Sequence, residues 1–278
     1  MDTATGAHVA ARIAPPNPGE RLGRYIVLRP LGAGGMGVVV AAHDPELDRS
    51  VAIKLVRADL WSDTSDQARS QLRREAQAMA RLHHPNVVAV HDVGTHDGQL
   101  FVAMQLVPGA PLDSWLRRPR TWRAILATCV GAGRGLAAAH RAGLVHLDIK
   151  PANLLVDGEG TARVADFGLA VLGRAVEGGA ACGTPAYMAL EQHRGSAADA
   201  RADQFAFAVT VFEALFGRRP YGGSSKAAIA EAIEAGRIAA IDRGGVPRRI
   251  HAALCRALAA DPAARFPTLD ALLDQLAP

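Results

Sequence analysis

The stretch that most constrains this chain is residues 146–153, with the sequence His-Leu-Asp-Ile-Lys-Pro-Ala-Asn. It places a carboxylate (Asp148), an ammonium group (Lys150) and a carboxamide (Asn153) within eight residues. Pro151 argues against an uninterrupted helix, because proline lacks the backbone N–H that a helix interior requires. The sequence therefore predicts that these side chains lie on a loop.

Two short strands are predicted after this loop, in residues 154–165, with an Asp-Gly turn at 157–158. Such a hairpin carries Asp166, of the sequence Asp-Phe-Gly, back toward Asp148 and Asn153. Two carboxylates, an amide and a lysine suit Mg²⁺ that carries phosphate groups, because Mg²⁺ prefers hard oxygen ligands. Each motif alone also fits an ordinary polar loop, but both motifs in this order predict a phosphate-handling site.

These residues resemble the catalytic and metal-binding loops of eukaryotic-like (Hanks-type) serine/threonine protein kinases, most of all those of the bacterial branch. The resemblance implies an α+β, bilobal fold, with a small antiparallel sheet and one helix in the N-lobe and a larger, mainly helical C-lobe. We expect the N-lobe, with its glycine-rich loop, at residues 25–107. The C-lobe, with the catalytic and activation loops, is expected at 108–278. Residues 1–24 show no periodicity and are predicted to be a flexible leader.

A glycine cluster at residues 31–37 lies between two apolar runs. Such a cluster alone could also open a dinucleotide-binding fold, in which a helix follows the glycines. Here a valine-rich strand pattern and a turn at residues 44–48 follow instead. This order favours a loop that folds over phosphates, where glycine lets backbone amides approach closely. The residues expected to contact nucleotide in this loop are Leu31, Gly32, Ala33, Gly34, Gly35, Met36 and Gly37.

Lys54 and Glu75 interrupt apolar patterns in two different elements. Lys54 shares one face of the predicted strand 51–56 with apolar neighbours, although a lysine on an edge strand could instead point to water. Glu75 interrupts an apolar row in the predicted helix 66–82, and an unpaired buried carboxylate is costly. We expect the two to pair, unless Glu75 is a solvated residue beside neighbouring arginines. In the resembled family this pair holds the lysine against the α- and β-phosphates of ATP.

The resemblance also implies roles for the other site residues. Asp148 would orient the substrate hydroxyl and accept its proton, while Lys150 would balance charge on the γ-phosphate. Asn153 and Asp166 would hold Mg²⁺, with Mn²⁺ as an alternative, and Thr184 would hydrogen-bond the catalytic aspartate and lysine. The residues expected around adenine are Val39, Ala52, Met104, Gln105, Val107 and Leu155. Of these, Met104 would fit a simple core residue equally well.

Two departures from the family pattern concern activation by phosphorylation. The usual His-Arg-Asp reads His146-Leu147-Asp148 here, so the arginine that would receive an activation-loop phosphate is absent. Residues 169–182 contain no serine, threonine or tyrosine. A phosphate switch requires both an acceptor and a cationic receiver. We therefore expect activity that is independent of activation-loop phosphorylation.

The rest of the C-terminal half is predicted to be helical scaffold. Leu190 replaces the proline of the family's Ala-Pro-Glu motif, while Glu191 and its candidate partner Arg265 are retained. Asp203 matches the aspartate at the start of the central C-lobe helix. Earlier helices are expected at residues 112–116 and 122–142, with Gly143 as the stop signal and with Ile125, Cys129, Leu136 and His140 on the buried face.

Composition narrows the class of function. The 278 residues are 49% hydrophobic, enough for a substantial core, and the net charge of +4 gives no argument for a nucleic-acid partner. No run of 18 apolar residues and no signal-peptide core occur, which predicts no membrane insertion and a cytoplasmic location. Three widely spaced cysteines indicate neither a disulfide framework nor a metal knuckle.

The resemblance to the Hanks-type kinases implies transfer of the γ-phosphate of ATP, with Mg²⁺, to serine or threonine hydroxyls of protein substrates. Lys150, two residues after Asp148, resembles the serine/threonine pattern rather than that of tyrosine kinases. The alternative is a nucleotide-binding pseudokinase that acts as a scaffold or allosteric partner, which only Leu147 and Leu190 favour. The sequence leaves dimerisation open.

Overall fold

The structure, a computed structural model of the chain, describes residues 15–34, 37–56, 78–167 and 183–277. Strands dominate the first part of the chain and helices dominate the second. Two buried apolar regions follow this division, one on the larger sheet and a more extensive one among the C-terminal helices. The described part thus has the predicted α+β arrangement, a small sheet lobe followed by a mainly helical lobe.

The larger sheet is antiparallel throughout, with the strand order β1-β2-β3-β4-β6-β5. Its strands are β1 (Arg21–Leu22), β2 (Tyr25–Gly34), β3 (Gly37–Asp44), β4 (Arg49–Val56), β5 (Val90–His96) and β6 (Gln99–Gln105). The predicted hairpin between β3 and β4 is confirmed. In its turn Asp48 has a φ of 44°, which aspartate tolerates better than most residues. β4 lies inside the sheet, between β3 and β6.

The structure corrects the predicted end of the leader at residue 24. Leu22 lies in β1 and is only 2% exposed. Just before it, Gly19 N–H donates to the carbonyl of Val27 at 2.8 Å, and Val27 N–H donates to the carbonyl of Glu20 at 2.9 Å. The ordered sheet therefore begins before residue 25. A strand of two residues is too short to produce a hydrophobic period, which is why the sequence pattern missed it.

A smaller antiparallel sheet carries the loop that the sequence singled out. Its strands, in spatial order, are β7 (Gly109–Pro111), β8 (Leu154–Asp157) and β9 (Ala162–Val164). The predicted hairpin in residues 154–165 is confirmed as β8 and β9. β5 begins at Val90, and Val87, three residues earlier, forms a parallel bridge with Val164 of β9. This bridge joins the chain before β5 to the smaller sheet.

The helices are α1 (Leu112–Trp115), α2 (Trp122–Arg141), α3 (Leu190–His193), α4 (Ala200–Phe216), α5 (Lys226–Glu234), α6 (Arg248–Ala257) and α7 (Leu269–Leu276). The helices α2, α4 and α7 pack against one another at the centre of the lobe. The predictions for α1 and α2 are confirmed to within one residue, and Gly143 after α2 has a φ of 76°. No helix in the described ranges is both long and apolar enough to span a bilayer.

The helix predicted at residues 66–82 lies largely outside the described residues. Its described end, residues 78–81, is helical. Glu75 belongs to the part that the structure does not describe, and so do Gly35 and Met36 of the glycine cluster.

We expect Gly135→Ala to destabilise the protein by about 1–3 kcal/mol, as overpacking of a core does. A Cβ at Gly135, inside α2, would lie 2.3 Å from the carbonyl oxygen of Asn86, which is backbone and also accepts a hydrogen bond from Val164 N–H. Gly131→Ala, one turn earlier, is the control, because its Cβ would meet only side-chain atoms of Asn86, the nearest being Nδ2 at 3.2 Å. Thermal denaturation of both variants tests this, and equal shifts in Tm would contradict it.

Candidate active site

Asp148 lies at the centre of a compact polar cluster. Lys150 Nζ donates to Asp148 Oδ2 at 2.6 Å and to Thr184 Oγ1 at 2.7 Å. Thr184 in turn donates to Asp148 Oδ1 twice, from its backbone N–H at 2.9 Å and from its hydroxyl at 3.0 Å. The Asp148 carboxylate is therefore held in one orientation by residues from two separate segments of the chain.

Asn153 completes this cluster from a single 3₁₀ turn, Pro151–Asn153, which begins with the predicted helix-breaking proline. Its Nδ2 donates to the backbone carbonyl of Asp148 at 2.7 Å and to Asp148 Oδ2 at 3.3 Å. The backbone carbonyl of Asn153 accepts a hydrogen bond from Ala165 N–H at 2.9 Å. This bond ties the turn to the residue that precedes Asp166. The side-chain nitrogen of Asn153 thus donates hydrogen bonds within the loop. Its side-chain oxygen is left as a hard ligand for a metal ion.

Lys54 joins the two lobes at this site. Its Nζ donates to Asp166 Oδ2 at 2.8 Å, and the lysine is only 6% exposed. The alternative of an edge-strand lysine pointing to water is therefore wrong. The predicted partner Glu75 lies outside the described residues, so Asp166 is the described partner. Asp166 has a φ of 63°, a left-handed conformation that costs a non-glycine residue roughly 1–3 kcal/mol.

A buried aspartate fixes the backbone that leads into the catalytic cluster. Asp203, in the first turn of α4, is 0% exposed. Its carboxylate accepts the N–H of His146 at 2.7 Å and that of Leu147 at 2.6 Å, and His140 Nε2 lies 2.8 Å away. Leu147 has a φ of 63°, so these bonds hold a backbone conformation that leucine rarely adopts. His140 was expected on the buried face of its helix, and its contact with Asp203 was not predicted.

Gln192 is a residue that the sequence analysis did not identify. Its Nε2 donates to the carbonyl of Leu147 at 3.1 Å, and its Oε1 accepts from Ala189 N–H at 3.1 Å. One buried side chain therefore links the loop of Asp148 to the segment that follows Thr184. A glutamine within a short helix carries no sequence signal for such a long-range contact, so only the fold reveals it.

The segment after Thr184 is also anchored to α4. Tyr187 donates its hydroxyl to Glu213 Oε2 at 2.6 Å. Burial, together with this hydrogen bond to a carboxylate, raises the pKa of Tyr187 above its ordinary value, so the phenol stays protonated as a donor. At the start of the segment Gly183 has a φ of 129°, and a Cβ there would lie 2.9 Å from the carbonyl oxygen of Leu147. The backbone therefore requires glycine at this close approach.

The residues expected around adenine form one apolar cluster between the lobes. Ala52, Val88, Met104 and Ala165 are its buried members, and Val39, Val102, Leu106, Val107 and Leu155 pack against them. Every predicted adenine neighbour except Gln105 belongs to this cluster. Gln105, the last residue of β6, donates its backbone N–H to the carbonyl of Ala89 at 2.8 Å.

The described glycine-loop residues span the end of β2 and the start of β3. Leu31, Gly32, Ala33 and Gly34 are exposed at the end of β2. Gly37 opens β3 with a φ of 147°, and a Cβ there would lie 1.9 Å from the carbonyl oxygen of Leu55. The absence of a side chain lets this loop approach the strand that carries the buried lysine.

A nucleotide with a divalent cation fits the groups gathered here. Within the described ranges no cluster of three or more His, Cys, Asp or Glu side chains could hold a metal by itself. A cation bound by Asn153 and Asp166 would therefore need further oxygen ligands, which phosphate groups and water supply to Mg²⁺. The buried ammonium group of Lys54 and the exposed residues 31–34 of the glycine cluster suit the same phosphates.

A buried ion pair between Glu191 and Arg265 also stabilises the segment after Thr184. Arg265 contacts Glu191 with both terminal nitrogens, Nη1 to Oε1 at 2.8 Å and Nη2 to Oε2 at 2.9 Å. The arginine side chain is 0% exposed, and it also donates to the carbonyls of Arg201, Ala259 and Ala260. The predicted partnership of Glu191 and Arg265 is thus confirmed. Leu190, in place of the family's proline, is buried.

Comparison with known proteins gives a consistent result. The family model described as "Protein kinase domain" matches residues 25–272. The chain is 35% identical to the serine/threonine-protein kinase PrkC of Bacillus subtilis, over 91% of this chain and 40% of PrkC. It is 38% identical to PknL of Mycobacterium tuberculosis, over 87% of this chain and 62% of PknL. The chain thus spans less than two thirds of the length of these two curated relatives.

Solved structures confirm the predicted fold class. The crystal structure of the Mycobacterium tuberculosis PknI kinase domain matches with a TM-score of 0.73 and 29% sequence identity. The match covers 94% of this chain and 98% of that one. The bilobal α+β architecture, with an antiparallel sheet in the N-lobe and a helical C-lobe, is therefore shared along almost the whole chain.

Proposed function

Since this chain belongs to the protein kinase family, on its Hanks-type serine/threonine branch, we propose that it transfers the γ-phosphoryl group of ATP, with Mg²⁺, to serine or threonine hydroxyls of protein substrates. The observation that carries the proposal is the fixed Asp148 carboxylate with Lys150 and Thr184 at hydrogen-bond distance. This arrangement places a proton acceptor (Asp148) and a cation (Lys150) next to each other, with a hydroxyl group (Thr184) that hydrogen-bonds both.

Asp148 would orient the incoming hydroxyl and accept its proton. A general base must lie within hydrogen-bond reach of the proton it takes, and a carboxylate already held from two sides reaches that position without reorganising. Lys150 would place its positive charge where negative charge develops on the transferred phosphoryl group. Thr184 would hold the side chains of this aspartate and lysine in position by hydrogen-bonding both.

Three further residues would bind the metal ion and the α- and β-phosphates of ATP, namely Asn153, Asp166 and Lys54. Asn153 and Asp166 would bind the metal through their side-chain oxygens, and Lys54 would exchange its contact with Asp166 for the α- and β-phosphates, held there by Glu75. Mg²⁺ bound in this way neutralises phosphate charge and aligns the phosphates for in-line attack. The glycine loop would cover the phosphates, and the apolar cluster around Ala52 and Met104 would enclose adenine.

The contacts around Leu147 favour activity without activation-loop phosphorylation. Leu147 is 8% exposed and occupies the position where the family usually carries the phosphate-binding arginine. Its backbone is held by Asp203 and Gln192, at its N–H and its carbonyl respectively. The catalytic loop is therefore fixed by buried contacts that need no phosphate.

We expect phosphatase treatment to leave the kinase activity of the purified chain unchanged. Residues 169–182 contain no serine, threonine or tyrosine to phosphorylate, and the residue before Asp148 is not an arginine that could bind a phosphate. The measurement is the rate of labelled phosphate transfer to a generic protein substrate before and after treatment, with heat-inactivated phosphatase as the control. Loss of activity that returns after incubation with ATP would contradict independence from phosphorylation.

The pseudokinase alternative gains no support from the two leucines that suggested it. Leu147 and Leu190 are both buried packing residues, and neither stands at a position expected to bind the metal or the phosphates of ATP. The groups that a kinase reaction requires are all in the sequence.

A further inference from the structure

An exposed basic surface lies at the turn between α1 and α2. Its residues are Arg117, Arg118, Arg120 and Arg123, four arginines within seven positions, and all four are exposed. We call it the arginine surface. None of the four forms an ion pair with a carboxylate in the part of the chain that the structure describes, unlike exposed Arg141, which pairs with Asp270 at 2.8 Å.

Two of these arginines are held in place by tryptophan rings. The guanidinium of Arg120 lies 4.3 Å from the ring centre of Trp115, and that of Arg123 lies 4.4 Å from the ring centre of Trp122. Both tryptophans pack against the C-lobe core. A guanidinium stacked on a ring keeps its N–H donors at its edge for an anion, and it loses less rotamer freedom when it binds one.

The arginine surface is directly connected to the candidate active site. Leu112 of α1 is fully buried, and α1 packs against the 3₁₀ turn that ends at Asn153. The helix that leads into the arginine surface therefore borders the turn that carries Asn153 of the candidate active site.

The charge balance favours a short acidic protein segment over a nucleic acid. The net charge of the chain is +4, and the four arginines carry +4, so all other charged residues together balance to zero. Nucleic-acid binding relies on contacts with many phosphates across an extended positive face. A small positive area on a neutral protein suits a few carboxylates, which arginine binds through paired hydrogen bonds.

We propose that the arginine surface docks an acidic segment of the protein substrate, at a distance from the serine or threonine that is phosphorylated. This inference rests on the proposed kinase function and adds a substrate class to it. Docking raises the local concentration of the substrate hydroxyl near Asp148, and it makes no contact with the reacting groups. It therefore lowers KM and leaves kcat unchanged.

Two peptides with the same serine-containing sequence test this, one extended by a glutamate-rich segment and the other by a glutamine-rich segment of equal length. We expect KM to be about tenfold lower for the glutamate peptide at low salt, with equal kcat, and the difference to vanish at high salt. The double variant Arg117→Gln, Arg118→Gln should lose most of the KM advantage. It spares both stacked arginines and so preserves packing on the tryptophans.

The matched control is the double variant Arg134→Gln, Arg248→Gln, which removes the same charge from exposed positions in α2 and α6. It should keep the KM advantage. Equal KM values for the two peptides, or the same loss in both double variants, would overturn the docking surface, as would tighter binding of a labelled oligonucleotide than of the glutamate peptide at equal salt.

A binding assay separates failure of the docking surface from failure of the kinase proposal. Fluorescence anisotropy of a labelled glutamate peptide with alanine in place of serine reports docking without catalysis. Binding that requires Arg117 and Arg118 supports the surface even if neither serine peptide is phosphorylated, a result that would contradict the kinase proposal alone. Phosphorylation of both serine peptides without arginine-dependent binding would overturn the surface alone.

Discussion

Asp148→Asn is expected to lower kcat for phosphoryl transfer by about 10²–10⁴-fold, the range that a positioned general base contributes. Asparagine keeps the shape of the side chain but cannot accept the proton of the substrate hydroxyl. It also removes the charge that Lys150 pairs with at 2.6 Å. Steady-state kinetics with saturating ATP measure the loss. Stabilisation of the variant by ATP and Mg²⁺ should persist, because Asp148 is expected to act on the hydroxyl and not on the nucleotide.

Asp274→Asn provides the control for this prediction. Asp274 is exposed on α7, so the same chemical change there should leave kcat at the wild-type value. Wild-type kcat in Asp148→Asn would show that this carboxylate is not the base. A large drop in Tm would instead assign the loss to folding, and the Tm of each variant therefore accompanies the kinetics.

Arg265→Met is expected to destabilise the protein by about 3–5 kcal/mol, the usual cost of breaking a buried ion pair from one side. Methionine fills much of the volume but leaves the Glu191 carboxylate and three backbone carbonyls without their donor. For a domain of this size the loss corresponds to roughly 10 °C in Tm. Thermal and denaturant unfolding measure it.

Arg141→Met is the control variant, which separates the effect of burial on the stability of an ion pair from the effect of the distance between its charges. Arg141 and Asp270 are also 2.8 Å apart, but their side chains are 61% and 53% exposed. An exposed pair contributes less than about 1 kcal/mol, because water solvates both charges and screens their attraction. Equal losses of stability in Arg141→Met and Arg265→Met would contradict the importance of burial for the Glu191–Arg265 pair.

The sequence predicted those parts of the site that depend on local pattern. Pro151 predicted the loop, the Asp-Gly turn predicted the β8–β9 hairpin, and the strand pattern followed by the turn at residues 44–48 predicted the β3–β4 hairpin. Each of these rests on backbone preferences within a few residues. Recognition of the family then supplied the long-range partners Thr184 and Arg265, which local pattern could not give.

Contacts that no local pattern or motif encodes were missed. Asp203 joins His140 to the backbone of Leu147 across more than fifty positions of the chain, and Gln192 bridges two loops in the same way. Such pairs depend on where α4 and α3 pack, which hydrophobic periodicity alone does not define. The short strand β1 was missed for a different reason, since its order comes from pairing with Tyr25 and its neighbour rather than from its own sequence.

Transfer of labelled γ-phosphate from ATP to a generic protein substrate, followed by identification of the phosphorylated amino acid, tests the central claim most directly. The account predicts Mg²⁺-dependent label on serine or threonine and none on tyrosine. Absence of transfer, in a preparation that ATP and Mg²⁺ nevertheless stabilise against heat, would contradict the account and leave a nucleotide-binding scaffold.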